Sequence, residues 1–270
     1  MLTTLALAAL TLAPAQGGEL KIANVRLTVG ELGPPRASAR FLPGDILFVG
    51  FDITGLSIED NGIGRYRMSV EVTDSAGKSV LKPPGRELEE PYPLRGNMIP
   101  ARVYLNIGLD HEPGVFTCKI TVEDPKTKAK DTLTTKFEVL KRDFGIVAVY
   151  ASHDIEGRLS APTTGMVGQT TYIQLQVASF QRDPKTKQPR VHFEFQVLDE
   201  KGTPILGKPG QYIQDEKSFP PVDENDARFR VLYKVFMSRP GKFTVRVTAT
   251  DKITEKKSVY ELPLTVLPGN

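Results

Sequence analysis

Pro113-Gly114-Val115-Phe116-Thr117-Cys118-Lys119-Ile120-Thr121 and Pro240-Gly241-Lys242-Phe243-Thr244-Val245-Arg246-Val247-Thr248 are one stretch written twice, 127 positions apart. The offset continues without a gap through Asp124 and Asp251, Thr127 and Thr254, Lys130 and Lys257, and Val139 and Val266. A period of that length is too long for a solenoid unit and matches a whole domain. Within the stretch, Phe116, Cys118, Ile120 and Val122 alternate with polar residues, as do Phe243, Val245, Val247 and Ala249. Alternation of period two marks a strand with one face in a core. The chain therefore reads as two homologous β domains in tandem. Each copy is a control for the other, because a residue found in only one copy is not demanded by the shared fold.

Working outward, Val49, Phe51 and Ile53 match Ile173, Leu175 and Val177 at an offset of 124. Tyr66, Met68, Val70 and Val72 match Val191, Phe193, Phe195 and Val197 at 125. The phase is kept in every pair, although a slip of one residue would turn all the side chains over. The offset changes only between strands, where loop closure tolerates insertions. Asp74-Ser75-Ala76-Gly77 and Asp199-Glu200-Lys201-Gly202 place Asp first and Gly fourth, as a type I turn prefers. Asp124-Pro125-Lys126-Thr127-Lys128 and Asp183-Pro184-Lys185-Thr186-Lys187 are the same five residues in different hairpins, which reads as shared turn chemistry and not as a binding motif.

The pattern predicts about seven strands per copy. In the first they lie near 21–29, 46–54, 65–73, 79–82, 101–109, 115–123 and 131–140. In the second they lie near 146–153, 170–179, 190–198, 204–207, 228–236, 242–250 and 257–266. No segment keeps a helical period. The expected architecture is all-β: two tandem immunoglobulin-like β-sandwich domains, 19–141 and 142–270. The join, Lys141-Arg142-Asp143-Phe144, has no Gly, Ser or Pro, so the pair is expected to be elongated and semi-rigid.

The pattern Pro-Gly-x-Phe-Thr-x-x-(Ile/Val)-Thr-x-x-Asp at Pro113–Asp124 and Pro240–Asp251 resembles the penultimate strand of bacterial extracellular Ig-like and polycystic-kidney-disease-like modules. The resemblance covers about 30 residues of each copy. The Trp and Phe-Gly-Asp-Gly hallmark of the latter group is absent, and so is the Cys/Trp/Cys core of antibody domains, since the chain has no Trp and one Cys. What the resemblance implies is a stalk or adhesion-type module, without any particular chemistry.

Charge narrows the partners. Lys and Arg number 35 against 32 Asp and Glu, and residues 19–142 hold 18 basic and 17 acidic side chains. Neither half is a polycation, so a nucleic-acid partner is not expected. With 40% hydrophobic and 25% charged residues the chain has the make-up of a globular protein. Leu2–Leu12 is an apolar run of signal-peptide length, and Ala13-Pro14-Ala15 supplies a small-x-small cleavage pattern, although no Lys or Arg precedes the run. Residues 1–18 are read as signal peptide and leader, and the mature protein as extracytoplasmic, periplasmic or secreted. The single Cys excludes an intramolecular disulfide, and no integral membrane segment is expected in the mature chain.

The candidate site residues are weighed against plainer roles. Cys118 alternates with core residues and has Val245 as its counterpart, so it reads as core filler. His111, His153 and His192 form no local metal pair, and His153-Asp154-x-Glu156 reads as a solvated loop. Asp223-Glu224-Asn225-Asp226 has the oxygen density a Ca²⁺ site needs, but its first-copy counterpart, Gly96-Asn97-Met98-Ile99, has no carboxylate. Glu87, Glu89 and Glu90 cluster without a partner across a cleft. The long connections Pro83–Pro100 and Pro209–Asp226 are the expected binding loops, with Tyr92, Arg95, Tyr212 and Phe219 as contacts. The alternative is that they cover sheet edges. No catalytic residue, cofactor or metal is assigned. The expected function is non-enzymatic, in protein–protein interaction or as a structural spacer of the cell envelope. The alternative is a carbohydrate- or calcium-binding accessory module. The partner's identity and the oligomeric state are not fixed by the sequence.

Overall fold

The computed structural model describes residues 19–94, 96, 98–206, 213–214 and 219–269. The leader 1–18, Arg95 and Tyr212 lie outside the described residues. Among those described there is no helix, and none is long and apolar enough to cross a membrane.

The first half contains β1 (Lys21–Thr28), β2 (Arg40–Phe41), β3 (Ile46–Thr54), β4 (Ile63–Thr73) and β5 (Ser79–Leu81). It continues with β6 (Arg86–Pro91), β7 (Met98–Asn106), β8 (Gly114–Glu123) and β9 (Lys130–Val139). A three-stranded sheet, β1-β3-β7, packs on a larger one ordered β2-β9-β8-β4-β5, with β6 also on β4. Leu47, Val49, Phe51 and Ile53 from one sheet meet Phe116, Cys118, Ile120 and Val122 from the other in one core. These are the alternating residues of the sequence.

The second half repeats the plan. Its strands are β10 (Gly145–Ser152), β11 (Thr164–Met166), β12 (Thr170–Ala178), β13 (Val191–Leu198), β14 (Ile213–Gln214), β15 (Arg228–Phe236), β16 (Gly241–Asp251) and β17 (Lys257–Leu267). The sheet β10-β12-β15 packs on β11-β17-β16-β13-β14 around Ile173, Leu175, Phe193, Val245 and Leu262. No sheet among the described residues mixes strands from the two halves. This is the immunoglobulin-like sandwich, twice.

The structure corrects several expected elements. Of the strand expected at 204–207, residues 204–206 form none, apart from an isolated bridge between Leu198 and Pro204, and residue 207 lies outside the described residues. The short strands β2 and β11 were not foreseen. Each pairs in parallel with the last strand of its half because the chain crosses from one sheet to the other between β1 and β2, and between β10 and β11. The connection Pro83–Pro100 is not a free loop. β5 and β6 both hydrogen-bond to β4, and the gap between them holds Pro83-Pro84, which cannot donate to a ladder. The outer strands β7 and β15 end their sheets. One carries Pro100 and the other Arg228, Arg230 and Lys234, residues that discourage strand addition.

Two buried aspartates hold the loops of each sandwich in place. Asp124 accepts the N–H groups of Lys126 and Thr127 at 2.8 and 3.2 Å, and through its other oxygen that of Ser57 at 2.9 Å. Asp251 does the same with Ile253 and Thr254, and with Gln181 at 3.0 Å. Their side chains are sealed off, at 1% and 0% exposure. Each thus ties the turn between its last two strands to the loop after the second long strand, 67 or 70 residues away. Asp183 makes the same local turn without that long-range bond. Burial by itself would lift the Asp124 carboxyl, but the bonds from Ser57, Thr127 and Lys126 outweigh it and hold the group below its ordinary value.

Asp124→Ala leaves buried N–H groups without an acceptor and should lower stability by about 1–3 kcal/mol. Asp183→Ala should cost clearly less, and parallel thermal melts check both. Because the folded-state value of Asp124 is depressed, its contribution is complete above the unfolded value of roughly pH 4 and is lost as pH falls through the folded value. A melting curve taken from pH 6 to pH 2 should therefore fall less steeply for Asp124→Asn than for the wild type.

Candidate functional site

The expected contact residues fall in different places. Tyr92 is 9% exposed and packs in the first core, its N–H bonded to Gly62 at 2.8 Å. Burial first, then Tyr66 and Glu90, push its phenol up to about 12. Phe219 is half-buried, with its ring 5.3 Å from Phe193 and 5.8 Å from Phe229. Both rings serve packing. The acidic run Asp223–Asp226 is a turn clamped from outside: Arg182 donates to the carbonyls of Asp223 and Asp226 at 2.7 and 2.6 Å. Among the described residues no three His, Cys, Asp or Glu gather at metal-holding distance. Asp154 is turned back on its own loop, accepting from Arg158 and Leu159. His111 lies edge-on to Phe116 at 4.7 Å. Cys118 is fully buried, and desolvation raises its thiol to about 11, so no thiolate forms at neutral pH.

The most developed polar centre lies where the halves meet, at a residue the sequence reading passed over. Asp45 follows Gly44 in the turn between β2 and β3 and is 5% exposed. Its Oδ1 accepts the N–H of Ile46 at 2.8 Å and that of Ala148, in the second half, at 2.9 Å. Its Oδ2 meets Arg36 at 2.9 Å, and the Arg36 guanidinium lies 4.3 Å over the ring of Phe41. Tyr260, on β17, is near enough for both Arg36 and Asp45 to act on its phenol, which burial pushes up to about 12.

The donor from the second half is available because of a duplicated irregularity. β1 bulges between Ala23 and Arg26, and β10 between Val147 and Tyr150. Asn24 and Ala148, 124 positions apart, sit in these bulges at φ 50° and 51°. In the first half Asn24 bonds to Asp52 at 2.8 Å. In the second the bulge points the Ala148 N–H at Asp45.

Apolar packing surrounds this bond. Val147, Ala148 and Ala178 pack with Leu42, Ile46 and Leu109 from the first half. Val29, just beyond β1, joins the second core. Close approach fixes two glycines: a Cβ on Gly145 would lie 2.3 Å from Leu42, and one on Gly30 would lie 2.5 Å from Tyr150. At the rim, Glu31 accepts from Ser160 at 2.6 Å, Arg228 donates to the Gly44 carbonyl at 3.2 Å, and Arg142 reaches Asp110 and Ser179. In the join itself Asp143 pairs with Lys256.

No family model matches the chain, and no curated protein matches it. Among solved structures, the C-terminal domain of the Streptococcus agalactiae AgI/II polypeptide BspA is similar at 9% identity and a TM-score of 0.31, over 91% of this chain and 100% of that one. The C-terminal domain of the Streptococcus pyogenes antigen I/II-family protein AspA gives 11% and 0.31, over 92% and 100%. A family 123 glycoside hydrolase from Clostridium perfringens gives 14% and 0.28, over 37% of this chain, which spans 22% of that enzyme. Likeness this distant carries no argument about family or activity. The sandwich assignment rests on strand order and cores.

Cys118 should resist a thiol reagent in the native protein and react fully in denaturant. Cys118→Val, which copies Val245, should change stability by less than about 1.5 kcal/mol. Rapid native labelling followed by a colorimetric readout would contradict the buried placement.

Proposed function

We propose that this is an exported, non-enzymatic protein whose two immunoglobulin-like domains, 19–141 and 142–270, act in protein–protein interaction or as a structural spacer of the cell envelope. The observation that carries the reading is the buried, hydrogen-bonded junction. A flexible linker needs no buried carboxylate, no apolar seam and no glycines selected for close approach. A spacer needs all three, since its use depends on holding a fixed distance. The reactive groups support a non-enzymatic role by where they are: the single thiol is sealed in a core, Asp45, Asp124 and Asp251 are occupied with backbone N–H groups, and Asp52 with the side chains of Asn24 and Arg26.

Spin labels at turns on the ends away from the join, on Lys126→Cys between β8 and β9 and on Lys201→Cys after β13, in a Cys118→Val background, should give one narrow distance distribution. Asp45→Ala removes one partner of a buried ion pair and should cost about 3–5 kcal/mol. It should also broaden that distribution. A broad distribution in the parent protein would remove the spacer reading. Export is checked separately by cell fractionation: the protein should be found outside the cytoplasm with an N-terminus between residues 16 and 19, and deletion of residues 1–18 should hold it inside.

A further inference from the structure

A cleft of the first half lined by β4, β6 and β7 carries charged and aromatic side chains in an otherwise apolar wall. It has a volume of about 480 Å³, within the range of small-molecule sites. The strand β6 presents Arg86, Leu88 and Glu90 to it, the residues that alternate with Glu87 and Glu89. Across from them β7 contributes Arg102 and Tyr104. Tyr104 is 65% exposed, and its ring centroid is 6.2 Å from that of Phe48, its cross-strand partner on β3.

Tyr66 also lines the cleft, and it is only 4% exposed. Its hydroxyl has no hydrogen-bond partner among the described residues. That hydroxyl is not among the sealed, unpaired polar atoms of the described residues, so it reaches solvent, and a ligand acceptor would take the place of water there. Burial first, then the charge of Glu90, push this phenol up to about 12, so at neutral pH it is a donor. Two basic residues, Arg86 and Arg102, are balanced by two acids, Glu31 and Glu90, and Arg102 is paired with Glu31. The charged side chains of the lining therefore balance, and most of the rest, Met68, Val70, Leu88 and Val103 among them, is apolar.

We propose that this cleft binds a short, uncharged oligosaccharide. A sugar ring has an apolar C–H face for the Phe48–Tyr104 rings and a rim of hydroxyls that both donate and accept. Glu90 accepts from such hydroxyls, and Arg86 and Tyr66 donate to them. The aromatic contacts are thus Phe48 and Tyr104, not Tyr92. The second copy is the control. Tyr66 has Val191 as its counterpart at the strand offset of 125. Phe48 pairs with Tyr104, whereas the equivalent Tyr172 pairs with Lys234; Gly50 pairs with Arg102, whereas Gln174 pairs with Leu232. At these positions the second copy has neither the phenol, the guanidinium nor the cross-strand ring pair, although it stacks Tyr233 on Phe195 at 4.2 Å in its own core, and the gathering of all three on one cleft of the first copy points to a ligand. This goes beyond the spacer reading and does not depend on it.

The test is calorimetry of the full mature chain with maltohexaose, cellohexaose and chitohexaose at millimolar concentration, with a proline-rich decapeptide and an acidic oligosaccharide as comparators. At least one neutral hexaose should bind with a submillimolar Kd. Tyr104→Ala, at an exposed site, should weaken it about tenfold or more. Tyr66→Phe should weaken it about three- to tenfold while changing the melting temperature little, since it deletes a hydroxyl that bonds to no described protein group. No heat with any of the three hexaoses overturns the proposal, as does binding that both variants leave intact. Tighter binding of the acidic sugar or of the peptide also overturns it.

Discussion

A buried carboxylate that accepts backbone N–H groups from two separate segments is the bond on which this molecule depends. Among the described residues it occurs three times. Asp124 and Asp251 close the loops of their own sandwiches, and Asp45 joins one sandwich to the other. Buried N–H groups are costly to leave unpaired, and loops that cover a core end cannot satisfy them through a ladder. A short acidic side chain solves this compactly, because its two oxygens face two directions and its charge strengthens each bond. Apolar packing supplies most of the driving force, but it is not directional. The carboxylates fix which loop meets which turn and which face of one sandwich meets the other.

Much of the fold was legible because strand periodicity and burial are the same fact seen twice. Every long strand falls within a few residues of its expected place, since a strand of nine or ten residues gives four or five alternations to count. What the periodicity could not carry was too short or too polar. β2 and β11 have two and three residues, and their pairing is decided by residues about 100 positions away. β6 reads Arg-Glu-Leu-Glu-Glu-Pro beside two prolines, so its composition argued for a loop. It becomes a strand because β4 has a free edge to offer.

Sites were less readable than strands. Tyr92 was singled out as an aromatic in a Pro-rich connection, and nothing local reveals that its ring turns inward. Asp45 was missed for the opposite reason. Gly-Asp between two strands is an ordinary turn, and its decisive partner, Ala148, is 103 positions away. The one available signal was comparative: the position 124 later is Gln169, so the acid belongs to one copy only. The same comparison sets Tyr66 apart from Val191, its counterpart in the second copy. A duplicated chain carries its own reference, and differences between the copies are more informative than either copy alone.

That asymmetry gives the joint a polarity. The first sandwich offers an acceptor at its trailing end, and the second supplies a donor from its leading strand. The second has no equivalent acceptor to pass on: the Gln169 side-chain oxygen is already occupied by the Met166 N–H at 2.8 Å, and Ser160 stands where Arg36 would be needed. Concatenating the second sandwich with itself would therefore not rebuild the coupling, whereas a first sandwich placed ahead of any unit with a matching bulge would. The device works as a plug and socket of fixed gender, and the order of the two units is written into its chemistry.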